Sequence, residues 1–352
     1  MTDPLTLARP EILALEPYQH AAWLPELTRL HANENPWSDA GDPPGAGLNR
    51  YPEPQSAELC AALARVYGVA PEAVLAGRGS DEGIDLLVRA FCRAGHDRIL
   101  VCPPTFGMYR VAAAIQGAGV VEVPLDHSFG LDARAILEAW TPAVRIVFLC
   151  SPNNPTGNRI ADTELELLLA GLAGRALVVV DEAYAEFAPG SGTPGRLAGH
   201  PELVVLRTLS KAHGLAGARV GAVIADPGII GLLARMLPPY ALTAPSIRAA
   251  LTALAPERLL RTAERVRRLV AERERVAANL GRLASVRRVW PSDANFLLVE
   301  FRDAPAALAA ARSAGLLLRD LSGQPRLAGC IRITIGSPAD NDRLLAALGE
   351  LP

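Results

Sequence analysis

Lysine is almost absent from this 352-residue sequence. The chain carries 35 lysine and arginine residues, but Lys211 is its single lysine, so arginine occupies every other cationic position. Arginine serves wherever only a positive charge is needed, yet its guanidinium stays protonated and does not act as a nucleophile. Lys211 is therefore a candidate reactive amine, although composition alone does not separate that role from chance survival.

Cysteine and histidine are also scarce, with five and six residues, and neither type shows the spacing of metal ligands. The cysteines are scattered and lie mostly within apolar runs. This pattern predicts small buried side chains in a reducing cytosol rather than disulfide bonds. We therefore predict no metal site.

Long apolar runs and strong charge are missing as well. No run reaches the length of a membrane span, and the N-terminus lacks the charged and then apolar layout of a signal peptide. A net charge of -2 provides no electrostatic footprint for nucleic acid. We expect a cytoplasmic protein that binds neither nucleic acid nor membrane.

From about Ser56 to Ala225, helical patterns alternate with short apolar runs typical of buried strands. The helix SAELCAALARVYG is expected to end at Gly68, and SDEGIDLLVRAFC to begin with a Ser/Asp cap. The strand candidates are RILVCPP, GVVEVPLD, VRIVFLCSP, ALVVVDEAY, LVVLRTLS and VGAVIAD. Near-continuous apolar strands separated by helices indicate an α/β fold with a mostly parallel central sheet covered by helices.

The pattern changes towards the C-terminus. One long amphipathic helix is predicted over 257–283, and its length suggests that it braces two domains. NFLLVEF, GLLLRDL and CIRITIG read as strands accompanied by the helical stretch APAALAAARSAG, which indicates a smaller α+β domain. We predict a segment 1–40 associated with the small domain and the active site, a large ligand-binding domain 41–250 and a small domain 251–352.

Polar side chains follow several of the predicted strands. In an open α/β sheet, ligands bind beyond the carboxyl ends of the strands, so these residues are expected to converge: Asn154, Asp181, Tyr184, Thr208, Ser210 and Lys211. Upstream, GRGSDEG places glycines before a helix, where backbone N–H groups of Ser80 and Asp81 face an anion. Ser210 and Arg219 are candidates to complete that anion pocket.

These motifs together resemble one enzyme superfamily. LHANENP, RYP, GSDEGID, PPTFGMY, CSPNNPTG, DEAYAEF, TLSKAHGLAGARVG and IRITIG are similar to the fold-type-I aminotransferases, which use pyridoxal 5′-phosphate (PLP). The resemblance covers nearly the whole chain. LEPYQ, RYPEPQ and PPTFGMY point to the histidinol-phosphate branch. The resemblance implies that PLP binds in the large domain. It also implies transfer of an amino group between histidinol phosphate and 2-oxoglutarate, giving imidazole-acetol phosphate and glutamate.

The resemblance also implies cofactor contacts. Lys211 bonds covalently to the PLP aldehyde, and its freed amine moves the substrate proton. Asp181 pairs with the ring nitrogen, Asn154 and Tyr184 bond the ring oxygen, and Phe106 stacks on the ring where many relatives carry tyrosine. The phosphate is held by Ser80 and Asp81 through their backbone, Thr208 or Ser210, Arg219, and Tyr51 from a partner subunit. A homodimer follows from that last contact.

Substrate contacts are implied at four further positions. Arg332 matches the arginine that binds the α-carboxylate of ordinary amino acids, including glutamate, and with Arg319 and Tyr18 it binds the phosphate of histidinol phosphate. Asn33 lies in an N-terminal segment that folds over the site in relatives. His213 stands where relatives often have phenylalanine, and no catalytic part is assigned to it.

Three alternatives stay open at this point. The same site suits an aromatic or broad-specificity amino-acid aminotransferase, and similar sequences belong to PLP decarboxylases of the threonine-phosphate type. A PLP-sensing regulator would use the fold as a binding module, but it would need an appended DNA-binding domain, which we do not expect before LEPYQ.

A first prediction concerns the lone lysine. Lys211→Arg should fold and still bind PLP, because the positive charge and the other contacts remain. It should lose transamination by about 10²-fold or more, since arginine supplies neither a neutral amine nor a proton acceptor. PLP binding and single-turnover transamination measure the two properties separately. Substantial residual activity would contradict the role given to Lys211.

Overall fold

A seven-stranded sheet forms the centre of the protein, whose computed structural model describes residues 3–24, 26–38, 47–188, 190 and 192–351. Its spatial order is β1-β7-β6-β5-β4-β2-β3, and only β7 runs antiparallel to its neighbours. The strands are β1 (Val74–Gly77), β2 (Arg98–Val101), β3 (Gly119–Glu122), β4 (Val144–Cys150), β5 (Leu177–Asp181), β6 (Leu203–Thr208) and β7 (Gly221–Ile224). The predicted mostly parallel sheet is confirmed.

The apolar runs of the central strands arise because both faces of the sheet are buried. Along β5, Val178 and Val180 belong to one hydrophobic cluster, whereas Leu177 and Val179 belong to another on the opposite face. Alternate side chains point to opposite faces of a strand, so both sets must be apolar. Each such burial contributes about 1.5–3 kcal/mol to folding.

Helices cover both faces of this sheet and continue into the second domain. SAELCAALARVYG forms the predicted helix, with the Ser56 hydroxyl accepting from the backbone N–H of Leu59 and Gly68 in the left-handed conformation at its end. The α-helices are α1 (Pro10–Leu13), α2 (Ala57–Tyr67), α3 (Ser80–Phe91), α4 (Met108–Gln116), α5 (Ala133–Ala139), α6 (Asp162–Leu172), α7 (Pro227–Ala234), α8 (Ala244–Ala253), α9 (Pro256–Leu280), α10 (Ala304–Ser313) and α11 (Pro338–Gly349). Short 3₁₀ turns lie at Pro4–Leu7, Pro71–Ala73, Ala185–Phe187, Thr193–Gly199 and Ala216–Ala218.

The small domain is built on a four-stranded antiparallel sheet of order β10-β11-β9-β8. Its strands are β8 (Val286–Val289), β9 (Phe296–Phe301), β10 (Arg319–Asp320) and β11 (Cys330–Thr334). Helix α9 contacts both parts of the molecule, because Leu259 packs against the cluster that contains Val178 and Val180 of β5, while Val276 and Leu280 lie in a cluster of small-domain residues. GLLLRDL was expected to be a full strand, but only two of its residues pair with β11.

Three sequence expectations differ from the structure. The boundary at 250 falls inside α8, where Ala250 is buried in the core of the large domain. The segment 1–40 was assigned to the small domain, but Leu7 and Ala8 pack with the large-domain core, covering apolar residues of α7. The boundary at 40 and 41 lies outside the described residues.

SDEGIDLLVRAFC is capped by Gly79, without a side-chain hydrogen bond, so Ser80 and Asp81 occupy the first turn instead.

All five cysteines are buried and free. Across the described ranges, no helix combines the length and apolar character that crossing a membrane requires.

Gly221 on β7 generates a stability prediction. A Cβ atom there would lie 2.5 Å from the carbonyl carbon of Gly79 and 2.7 Å from the Ser80 nitrogen, so no side-chain movement relieves the clash. Gly221→Ala should lower the free energy of unfolding by about 2 kcal/mol or more. Urea unfolding measures this loss. Gly231→Ala is the control, because Gly231 lies exposed on α7 with open space around it, and this change should stabilise by about 0.5–1 kcal/mol. Equal effects of the two substitutions would contradict the close approach.

Candidate active site

An open cavity of about 650 Å³ lies at the carboxyl ends of β4, β5 and β6, facing the small-domain strands β10 and β11. All but three of the residues singled out from the sequence line it. The residues that line the cavity are Ser80, Asp81, Phe106, Asn154, Asp181, Tyr184, Thr208, Ser210, Lys211, Arg219, Arg319 and Arg332. The register explains the convergence, since Asp181 pairs with both Cys150 of β4 and Leu206 of β6.

Asp181 is the last residue of β5 and lies at the floor of the cavity, only 2% exposed. Its carboxylate accepts hydrogen bonds from the Tyr109 hydroxyl at 2.9 Å and from the Ala183 backbone N–H at 3.1 Å. Burial raises the pKa of Asp181 to about 6, although these two hydrogen bonds act in the opposite direction. Within the described part of the chain, no salt bridge partners this carboxylate.

Lys211 follows β6 and opens onto the same cavity, with its Nζ 5.6 Å from the centroid of the Tyr184 ring. The residue is exposed, but the cavity walls remove part of the hydration of its amine. This desolvation, followed by the positive charges of Arg332 and Arg219, lowers the pKa of Lys211. A lowered pKa increases the fraction of neutral, nucleophilic amine.

An anion-binding corner lies where α3 begins. Gly79 lies so close to the Arg219 side chain that a Cβ atom on it would be 2.7 Å from Arg219 Nη2. The Arg219 guanidinium pairs with the Asp81 carboxylate at 3.0 Å and lies 3.5 Å from the Ser210 hydroxyl, which also bonds Thr208 at 2.9 Å. Two hydroxyls, one guanidinium and the N–H groups of a helix N-terminus therefore face one point.

The opposite wall of the cavity carries a second positive cluster. Arg319 and Arg332 are directly opposed across β10 and β11. Burial, and next the Arg319 charge, lower the pKa of Arg332, although the nearby Tyr184 acts in the opposite direction. Arg332 Nη1 donates to Asn154 Oδ1, and its guanidinium lies 5.4 Å from the Phe296 ring. Like charges directly opposed on neighbouring strands are unfavourable, so this pair is suited to an anion held between them.

Three predicted residues do not line the cavity of this protomer: Tyr18, Asn33 and Tyr51. Tyr18 and Tyr51 are 68% and 50% exposed, and Asn33 is exposed as well. The Tyr51 ring stacks on Tyr240 with centroids 4.4 Å apart. Their assigned contacts stay predictions.

Sequence reasoning missed several cavity residues. Met108, Val111 and Leu321 add apolar surface, and Gln324 adds an amide. Met108 and Val111 lie on helix α4, away from any strand end, whereas Leu321 directly follows β10 but is apolar, so it does not stand out as a polar strand-end residue. Tyr109 was also missed, although PPTFGMY ends on it, because its contact with Asp181 depends on how α4 packs under the sheet edge. Among the described residues, neither buried ring nitrogen of His213 has a hydrogen-bond partner, and burial lowers the pKa of His213 to about 4.

The family-level comparison decides what this site belongs to. The model of the family "Aminotransferase class I and II" matches residues 39–348. The chain belongs to this aminotransferase family. Enzymes of the family depend on PLP, and the fold predicted from the sequence motifs is confirmed.

Individual aminotransferases and related enzymes give finer comparisons. A histidinol-phosphate aminotransferase of Stenotrophomonas maltophilia is 49% identical over 98% of this chain and 96% of its own length. The structure of a Sinorhizobium meliloti histidinol-phosphate aminotransferase in complex with PLP has a TM-score of 0.78 at 28% identity, covering 87% of this chain and 84% of that one. A Porphyromonas gingivalis L-threonine-O-3-phosphate decarboxylase has a TM-score of 0.75 at 27% identity, covering 86% and 90%.

The aminotransferase cavity fits PLP on three separate observations. A buried carboxylate without a cationic partner suits a protonated ring nitrogen, because buried charges require pairing. The corner at α3 suits a phosphate, since a Cβ atom at Gly79 would fill part of that cradle. Lys211 reaches the space between them with an amine of lowered pKa. The cavity volume falls in the range of ordinary cofactor sites.

The pKa of Asp181 generates a prediction for the cofactor-free aminotransferase. Since its folded-state pKa of about 6 exceeds the ordinary 3.8, the folded chain keeps a proton that the unfolded chain has lost. Stability should therefore fall as pH rises from about 4 to about 6 and then level off, by up to about 3 kcal/mol. Asp181→Asn does not titrate. It should match wild type near pH 4 and exceed its stability above pH 6 in urea unfolding. A difference between the two proteins that is constant with pH would contradict this assignment.

Proposed function

We propose that this aminotransferase transfers an amino group from histidinol phosphate to 2-oxoglutarate, with PLP as its cofactor. The products are imidazole-acetol phosphate and glutamate. The observation that carries the proposal is the pair of opposed arginines, Arg319 and Arg332, on the cavity wall that faces Asp181 and Lys211. The name shared by its half-identical relatives supports the same substrate.

PLP supplies an aldehyde that bonds to amines and a ring that accepts the electron pair of a broken C–H bond. With PLP bound, Lys211 would be the residue that holds the aldehyde, and its amine would be the group that accepts the proton of the substrate α-carbon and returns it on the cofactor side. Its lowered pKa favours the neutral amine that both tasks require. Arg219, Ser210 and the N-terminus of α3 hold the phosphate.

Four other residues orient the cofactor ring. Asp181 pairs with the ring nitrogen and keeps it protonated, which strengthens the electron-accepting character of the ring. Asn154 and Tyr184 donate to the ring oxygen, and Phe106 covers one ring face. Phenylalanine retains the stacking surface of the tyrosine that many relatives carry, without its hydroxyl.

The opposed arginines receive the substrate anion. Histidinol phosphate carries no carboxylate, so its phosphate is the group that two guanidiniums can bind, and each guanidinium offers paired N–H donors. Glutamate, the product of the other half-reaction, presents its α-carboxylate to Arg332. One positive wall thus accepts both molecules in turn, while Met108, Val111 and Leu321 provide apolar surface beside it.

The working enzyme is proposed to be a cytoplasmic homodimer. The N-terminal segment exposes large apolar side chains that a partner would cover. They include Tyr18, Trp23, Leu27, Leu30 and Trp37, with Leu30 91% exposed. Tyr51 is half exposed and does not line the cavity of its own protomer, which supports the proposal that it contacts the phosphate in the partner subunit.

Two other reactions suit the same cofactor site. An aromatic aminotransferase would use Arg332 for the α-carboxylate of both of its substrates, leaving Arg319 without a comparable partner. A decarboxylase of the threonine-phosphate type would also need an anion site for a phosphate. The two functions therefore differ in the reaction catalysed and not in the binding of the phosphate.

Substrate preference is the decisive measurement. With 2-oxoglutarate as acceptor, purified enzyme should convert histidinol phosphate with a kcat/KM about 10²-fold or more above that for phenylalanine, because a phosphate site left unfilled weakens binding. Equal values would favour the aromatic aminotransferase. Release of CO₂ from phosphothreonine would favour the decarboxylase.

The arginine pair can be tested in the same assay. Arg319→Ala should lower kcat/KM for histidinol phosphate by about 10–100-fold, the loss expected for one charge-assisted contact. Arg312→Ala is the control, since Arg312 is an exposed arginine of α10 outside the cavity, and it should change little. An unchanged Arg319→Ala enzyme would show that the phosphate binds elsewhere.

A further inference from the structure

Tyr109 contacts the floor of the cofactor cavity from behind. It is the second residue of α4, its side chain is fully buried, and its hydroxyl donates to Asp181 Oδ2 at 2.9 Å. Tyr109 is not among the cavity-lining residues. The Tyr109 ring also contacts Phe106, which does line the cavity, but its hydroxyl acts on a bound ligand through Asp181.

The Tyr109 ring is held rigidly by two aromatic neighbours. It stacks on Phe148 of β4 with centroids 4.7 Å apart and planes 7° from parallel. The Phe106 ring meets it edge-on at 5.7 Å and 85°. These contacts leave the phenol little rotational freedom, so its hydroxyl stays directed at the Asp181 carboxylate.

We propose that Tyr109 is a positioning residue for the cofactor, whose hydroxyl keeps the Asp181 carboxylate ionised and directed at the ring nitrogen. The inference rests on the proposed PLP function of the cavity. Tyr109 does not line the cavity, so its proposed role is to position Asp181 and not to contact the reacting atoms.

The surroundings of Asp181 explain why such a residue is needed. Burial raises its pKa, and the charges of Asp81 and Glu182 raise it further. The Cys150 thiol and the Tyr184 phenol also face it, with Lys211 across the cavity. Two donors oppose these effects, the Ala183 backbone N–H and the Tyr109 hydroxyl. The pKa of Tyr109 is raised well above its ordinary value, so the hydroxyl remains a donor throughout the working pH range.

Tyr109→Phe tests the proposal, because it removes the hydroxyl and retains the stacked ring. Without that hydrogen bond, Asp181 keeps its proton to higher pH, and a protonated carboxyl pairs poorly with a protonated ring nitrogen. The dissociation constant of PLP, measured by titrating the cofactor-free protein, should rise about ten-fold at pH 6. The difference from wild type should narrow towards pH 8.5, where Asp181 is ionised in both proteins.

A double-mutant comparison separates positioning from general damage. In an Asp181→Asn background, Tyr109→Phe should change PLP affinity little further, because the group it acts through is already neutral. Tyr67→Phe is the control, since Tyr67 is a buried tyrosine of α2 that packs against Arg207, 4.8 Å from its guanidinium carbon, and not against Asp181. It should leave the pH dependence of PLP binding unchanged. A loss that is independent of pH, or additive with Asp181→Asn, would overturn the proposal.

The stability of the cofactor-free protein, measured against pH, separates a failure of the proposed PLP function from a failure of the role of Tyr109 alone. In cofactor-free Tyr109→Phe, the fall of stability with rising pH should extend beyond pH 6, because the pKa of Asp181 is higher. A wild type that takes up no PLP would overturn the proposed function and, with it, the cofactor role of Tyr109. A wild type that binds PLP, with a variant matching it in affinity and in stability profile, would overturn the role of Tyr109 alone.

Discussion

A buried carboxylate at the end of the central strand is the constraint around which the large domain is organised. Asp181 is almost completely enclosed, and no salt bridge partners it in the described part of the chain. Such a group destabilises the fold unless it is protonated or paired. This carboxylate is the reason for the proposal that a cationic ring binds here, because such a partner would relieve the unfavourable burial.

The same arrangement separates the tasks of the two domains. The large domain supplies the carboxylate, the amine and the anion corner at α3, all at the edge where its parallel strands end. The small domain supplies Arg319 and Arg332 from two neighbouring antiparallel strands. Helix α9 packs against hydrophobic clusters of both domains. In the proposed function, substrate preference therefore depends on the small-domain arginines, while the cofactor contacts come from one edge of the large sheet.

Sequence patterns predicted the central strands and the strand-end residues well, because burial on both faces leaves continuous apolar runs followed by polar residues. The sequence patterns gave wrong predictions where the same short pattern is compatible with two local structures. Ser80 and Asp81 look like a helix cap, but Gly79 occupies that position since its backbone has φ 78°. GLLLRDL looks like a strand by composition, yet only Arg319 and Asp320 pair.

The order of residues alone specifies which groups are available: one lysine, one strand-end aspartate, two arginines near the C-terminus and glycines before a helix. Each of these groups can be identified from the residues next to it in the sequence. Tertiary packing decides how far apart those groups lie and what lies behind them. The Tyr109 hydroxyl reaches Asp181 across 72 positions, and Arg332 reaches Asn154 across 178. Contacts of that separation leave no periodic trace in a single sequence, because they form only when the sheet and the two domains close around the cavity.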